Sequence, residues 1–253
     1  MQDETLSFAT VLGDSLRRVG RHWIFFLVLG LANLVLYTPF SYLTAHLAGQ
    51  SGFDYTNLLV IVYGVQALHA LVGCLVYGII IHFAYQAVHR GEASAGEALS
   101  AALRRWPALI WTMVVRYFWL ALGFVLLVVP GVIWAYRQML CWVVTAIEGV
   151  SGQPALRRAQ DLAQADPSAY NILFGHWLLA IVMTAIPGYF VNLSLITLPL
   201  ELRTSLQGCL GILNWFIFGV AYFSMVRVYS HLRDRLDGAP EEDSIGFSPA
   251  FEL

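Results

Sequence analysis

The feature that most constrains this chain is a series of apolar runs, each long enough to cross a bilayer as a helix. A hydrocarbon core of about 30 Å needs roughly 20 apolar residues in helical form. The segments that meet this length are Trp23 to Leu43, Leu58 to Val88, Leu109 to Val129, Gly131 to Ile147, Tyr170 to Val191 and Leu206 to Tyr229. Composition agrees. The chain is 58% hydrophobic and 12% charged, whereas soluble domains carry about 25% charged residues. The expected fold is all-α: a polytopic transmembrane helical bundle of about six spans with amphipathic interfacial helices. It takes up residues 1–238, and the acidic, Pro-containing stretch 239–253 reads as a disordered tail. The first twenty residues show no signal-peptide pattern, so the first span is expected to direct membrane insertion.

The arginines set the expected topology. Arg17, Arg18 and Arg21 precede the first span. Arg90, Arg104 and Arg105 lie between spans two and three, Arg157 and Arg158 between four and five, and Arg233 and Arg235 after six. The opposite connections carry only Arg203. The positive-inside rule then places both termini in the cytoplasm, here of a bacterial inner membrane. All 14 cationic residues are Arg and the net charge is −2, which gives no basic signature for nucleic acid. Cys74, Cys141 and Cys209 all lie in apolar runs and read as small buried residues rather than disulfide partners.

Three stretches on the arginine side have helical apolar periodicity. Phe8, Leu12, Leu16 and Val19 share one face, as do Leu99, Leu103 and Trp106, and then Leu156, Ala159 and Ala163. Such helices lie in the headgroup plane, and Arg17, Arg18, Arg104, Arg105, Arg157 and Arg158 are the expected headgroup contacts; the rival reading is packing on the bundle. Ala98-Leu99 precedes Pro130-Gly131, and Ala155-Leu156 precedes Pro187-Gly188, at the same offset of 57 residues. With Leu16-Arg17-Arg18 and Pro39, this suggests three parallel copies of one unit.

Pro130-Gly131 reads as a tight reversal, with Pro fixing φ and Gly supplying positive φ; Pro187 and Gly188 are assigned the same structural-turn role. A single kinked helix over 109 to 147 would be roughly 58 Å long, too long for one span. Arg137 then falls inside span four, where a charge must face the bundle interior, find acceptors or snorkel. Asn214 lies at a similar depth. Arg116 lies in span three, and Glu148 closes span four on the same side, so an Arg116–Glu148 pair is expected.

The stretch "PGVIWAYRQMLCWVVTAIEGVSGQPALRRAQDL" (130 to 162), followed by "YSHLRDRLDG" (229 to 238), resembles the bacterial glycerophosphoryl diester phosphodiesterase membrane domain family and related uncharacterised inner-membrane proteins. The shared pattern is Pro-Gly, Arg, Glu-Gly, Ala-Leu-Arg-Arg and Tyr-x-x-Leu-Arg-x-Arg. Ala159 stands where Ser is usual. The resemblance covers about residues 90 to 238 and implies a six-span bundle without implying an activity.

Catalytic chemistry finds little support. The chain has no HExxH, Walker A, GxSxG or Cys-x-x-Cys motif. His82 and His89 share a face of span two without a visible third ligand, and no metal or cofactor is expected. The chain is therefore read as a non-catalytic membrane protein that organises lipid, another membrane protein or a second copy of itself. The alternative is a small carrier for an anionic or amphipathic solute, with Arg116, Arg137, His176 and Asn214 lining a cavity.

Overall fold

A computed structural model describes residues 6–48, 55–126, 128–194 and 200–238. The predicted tail, 239–253, lies outside the described residues. Among the described residues the chain is helical without strands. Its helices are α1 (Phe8–Arg21), α2 (Trp23–Ala48), α3 (Tyr55–His89), α4 (Ala95–Leu126), α5 (Val128–Arg137), α6 (Cys141–Glu148), α7 (Gln153–Ala165), α8 (Pro167–Ser194) and α9 (Leu200–Asp237).

Five segments are long and apolar enough to cross a membrane: Leu59–His89, Ala95–Leu126, Val128–Glu148, Pro167–Tyr189 and Leu206–Asp237. The first predicted span falls on α2, whose described apolar part, Trp23–Val35, meets the same test when joined to α1. Large apolar side chains cover the outside. Val125 is 82% exposed and Val35 70%, which suits a surface solvated by lipid rather than water.

The spans alternate in direction, and close approach at glycine brings them together. A Cβ on Gly30 would lie 3.0 Å from the Cα of Ile212, which brings α2 against α9. A Cβ on Gly123 would lie 3.0 Å from the Cα of Gly131, which brings α4 against α5. Trp119 and Trp134 meet edge to face at 5.5 Å about one turn further along, so α5 runs back along α4. The predicted hairpin between spans three and four is therefore present, but its turn is not at Pro130-Gly131. The chain reverses between α4 and α5, and Pro130 and Gly131 both lie within the start of α5. Gly131 has no positive φ. Proline suits the first helical turn because its missing N–H has no intrahelical acceptor there. Pro187 and Gly188 are no turn either, since α8 runs through both. Membrane helices tolerate such a proline when neighbours re-satisfy the freed carbonyl. Likewise α2 runs past position 39 to Ala48.

Span four is broken rather than continuous. After Arg137 the chain makes two i to i−3 hydrogen bonds, Met139 N–H to Tyr136 O at 3.2 Å and Cys141 N–H to Gln138 O at 3.1 Å. Tyr170 of α8 donates its hydroxyl to Tyr136 O at 2.8 Å, which helps satisfy the loosened backbone.

The amphipathic stretches behave in three different ways. α1 starts with a reciprocal Ser7–Thr10 capping box and ends with Arg18 and Arg21, which complement the helix dipole. It is bent 75° from α2, so beside an upright span it lies near the membrane plane. Val11, Ser15 and Val19 are its buried residues, whereas the predicted face residue Leu16 is 53% exposed. The stretch 97–106 is no separate helix. It continues through Pro107 into span three as α4, with Ala98, Ala101 and Ala102 buried and Leu99 and Leu103 exposed. In α7 the predicted face, Leu156, Ala159 and Ala163, is buried, but against the bundle. The face left outside holds Arg157, Asp161 and Gln164, so packing rather than the headgroup plane accounts for α7.

Candidate functional site

The polar chemistry gathers at the arginine-rich end, where the last turns of α9 act as a common post. Ser224 hydrogen-bonds Ser15 of α1 at 2.9 Å. Arg227 pairs with Asp14, which also takes the Arg18 Nε at 3.0 Å. Tyr229 donates to Glu148 at 2.8 Å, and Ser230 meets His89 of α3 at 3.2 Å. Arg235 pairs with Asp166 at 2.8 Å. Arg158 of α7 bridges Glu148 at 3.2 Å and also pairs with Asp237. Five other helices, α1, α3, α6, α7 and α8, are thus tied to one post.

Two of these acids, Asp14 and Asp166, are held below their ordinary range by their partners. Burial raises the carboxyl of Asp14, but the hydrogen bond from Arg18 and the charges of Arg227 and Arg18 outweigh it, leaving Asp14 below its ordinary range. Asp166 follows the same pattern: burial raises it, while hydrogen bonds from Ser168, the Ala169 N–H and His231, with the charge of Arg235, hold it low. Asp166 also caps α8, accepting from Ser168 N–H at 3.0 Å and Ala169 N–H at 3.1 Å, with Pro167 in the first helical position.

The expected Arg116–Glu148 pair does not form. Glu148 is taken by Arg158 and Tyr229. Arg116 instead places its guanidinium carbon 6.0 Å from the ring centre of Trp142. Its Nε is buried without a hydrogen-bond partner. A mid-span arginine costs about 2.5–3.5 kcal/mol to insert, and a cation–π contact returns about 0.5–2 kcal/mol. The contact therefore offsets part of the cost and leaves the charge uncompensated.

Arg137 does not point into the bundle. It is exposed at the last position of α5, and among the described residues no hydrogen bond joins it to Asn214. The inward residue is its neighbour Gln138, 3% exposed, with Oε1 unpaired. His176 is buried, donates from Nδ1 to Ile172 O at 2.8 Å and stacks on Phe8 at 4.1 Å. Asn214 is half-buried on α9. The four residues expected to line one cavity are not brought together. A cavity of about 160 Å³ among the described residues lies between α2, α3 and α9, against Leu29, Asn33, His69, Val72, Tyr77 and Trp215.

The six expected headgroup arginines divide. Arg18 and Arg158 are held by acids. Arg105 is half-buried over Gly149, where its guanidinium fills the place a Cβ would take. Arg17, Arg104 and Arg157 remain exposed. Cys74 and Cys141 are buried as expected, whereas Cys209 is exposed. No cluster of three or more His, Cys, Asp or Glu able to hold a metal ion occurs among the described residues.

Sequence reading passed over Arg227, a third arginine within the predicted spans. The signal for it was Asp14, an acid on the first amphipathic helix that needed a partner. The structure also brings together residues from three separated motif fragments: Glu148 of Glu-Gly, Arg158 of Leu-Arg-Arg and Tyr229 of Tyr-x-x-Leu-Arg. Comparison with family models, with curated proteins and with solved structures finds nothing that matches this chain.

Proposed function

We propose that this chain is a non-catalytic multi-pass protein of a bacterial inner membrane, with both termini cytoplasmic, and that it organises lipid or a membrane-protein partner. The observation that carries this reading is the rim of the arginine-rich end. Exposed Leu16 adjoins exposed Arg17, and exposed Leu103 adjoins exposed Arg104. An apolar side chain beside a free guanidinium suits the boundary between acyl chains and lipid phosphates. Arg157, exposed on α7, extends the positive rim.

The carboxylates of the same end support a structural rather than a catalytic role, because Asp14, Glu148, Asp166 and Asp237 are all engaged in ion pairs that join helices. Membership of the glycerophosphoryl diester phosphodiesterase membrane domain family is part of the same proposal. The Glu148–Arg158–Tyr229 cluster supports it by giving three motif fragments a shared physical purpose. The carrier reading keeps the uncompensated charge of Arg116 in its favour, but the cavity described above is lined by none of the four residues assigned to it.

The test is the triple variant Arg17→Gln, Arg104→Gln, Arg157→Gln, purified beside wild type and examined for co-purifying lipid. Loss of anionic lipid with unchanged thermal stability is expected. Unchanged lipid retention overturns the headgroup role of the rim. Reporter fusions at each terminus test orientation separately.

A further inference from the structure

We propose that Arg116 is an oxyanion site within the bundle, separate from the rim, and that its ligand is a phosphate group. Arg116 lies on the buried face of α4. It follows Leu109 and Thr112, both buried, at spacings of seven and four residues, so its side chain starts toward the neighbouring helices. Trp142, only 7% exposed, lies beneath the guanidinium. Tyr77 stands 5.8 Å, ring centre to ring centre, from both Trp142 and Tyr222. These aromatic rings form the walls.

Among the described residues no acid pairs with the charge at this place. Asp14 is taken by Arg18 and Arg227, Glu148 and Asp237 by Arg158, Asp166 by Arg235, Asp234 by Arg233, and Glu97 by Arg90. Yet Arg116 is only half-buried, and Tyr77 beside Trp142 is 36% exposed. The residue is therefore open on one side, while its Nε–H, shielded from the surface, lacks an acceptor. A planar guanidinium matches a phosphate through paired N–H donors, and a low-dielectric wall strengthens that contact.

Tyr77 also gives the site a second half. The same residue lines the apolar cavity against Leu29, Val72 and Trp215. Apolar space for part of an acyl chain thus shares a wall with the cation. That favours a phospholipid over free phosphate as the source of the group. Arg17, Arg104 and Arg157 are unchanged in every variant below, so failure of this site and failure of the rim reading are distinguishable.

The test measures thermal unfolding of the full chain in neutral detergent with three probes: dioleoyl phosphatidylglycerol, dioleoylglycerol, which has the chains without phosphate, and inorganic phosphate. Wild type is expected to gain about 5 °C or more with phosphatidylglycerol and little with dioleoylglycerol. Arg116→Gln is expected to lose that gain, while Arg137→Gln, at an exposed position, keeps it. An equal Arg116-dependent gain with inorganic phosphate keeps the oxyanion site and assigns it to free phosphate. An unchanged gain in Arg116→Gln, or an equal gain with dioleoylglycerol, overturns the proposal. If Arg116→Gln is not recovered folded, Arg116→Lys decides by native mass spectrometry. It keeps the charge without the fork, so roughly tenfold weaker phosphatidylglycerol retention is expected, and wild-type retention overturns the proposal.

Discussion

Asp14 of α1 and Arg227 of α9 form an ion pair across 213 positions of sequence, with Arg18 closing on the same carboxylate oxygen. The pair fixes the in-plane helix to the post on which the bundle is assembled. Both side chains are partly buried, at 22% and 31% exposure, so the contact falls between a weak surface bridge and a costly buried one. A double-mutant cycle with Asp14→Ala and Arg227→Ala in detergent should give a coupling of about 1–3 kcal/mol. A coupling near zero would mean that α1 is held by its apolar face alone.

Asp166 provides the pH dependence. Its carboxyl is held below the ordinary range by Ser168, Ala169, His231 and Arg235 despite burial. The stability this adds is present above the unfolded carboxylate pKa of about 3.9 and is lost as pH falls through the folded value. Wild type should therefore lose stability more steeply below about pH 4 than Asp166→Asn does. At neutral pH, Asp166→Ala should cost about 1–2 kcal/mol from the cap alone. Thermal melts across pH measure both effects.

The α6–α7 connection depends on glycine at two places. Gly149 has φ +77° and carries the Arg105 guanidinium where a Cβ would stand; Gly152 has φ +65° and meets the Trp111 indole. Alanine at either position should destabilise by about 1–2 kcal/mol from backbone strain, with a steric cost added. Gly188 has open space around its Cβ direction, and Gly188→Ala should be neutral or mildly stabilising. Equal losses at all three positions would contradict this geometry.

The α4–α5 hairpin separates proline from glycine. Pro130 lies in the first turn of α5, where no N–H is needed, so Pro130→Ala should change stability by less than about 1 kcal/mol. Gly123→Ala drives a methyl against the Gly131 backbone at 3.0 Å and should cost about 1–3 kcal/mol. A reversed order of effects would restore the turn at Pro130-Gly131.

Sequence periodicity and length made the spans legible, because a bilayer demands a fixed run of apolar residues and that demand is one-dimensional. α3 begins and ends within three residues of the expected second span, and α8 encloses the fifth. The arginine bias marked the end at which α1, α3, α6, α7, α8 and α9 meet. The buried face of α7 was also readable, because a short regular helix keeps its period.

What sequence could not supply was rotation about the helix axes. Arg116 and Glu148 share an approximate depth, but depth does not say which neighbour a side chain faces. Glu148 turns to Arg158 and Tyr229, and Arg116 turns to Trp142. Arg137 shows the same limit more sharply. A helical wheel drawn through residue 137 assumes an unbroken helix, whereas span four tightens at Gln138 to Leu140 and puts Gln138 inside with Arg137 outside. The apolar pattern alone determined that this chain crosses a membrane as a helical bundle. Only the tertiary structure, through glycine contacts that set helix rotation and through one broken span, decided which charges are paired and left Arg116 facing Trp142 instead of an acid.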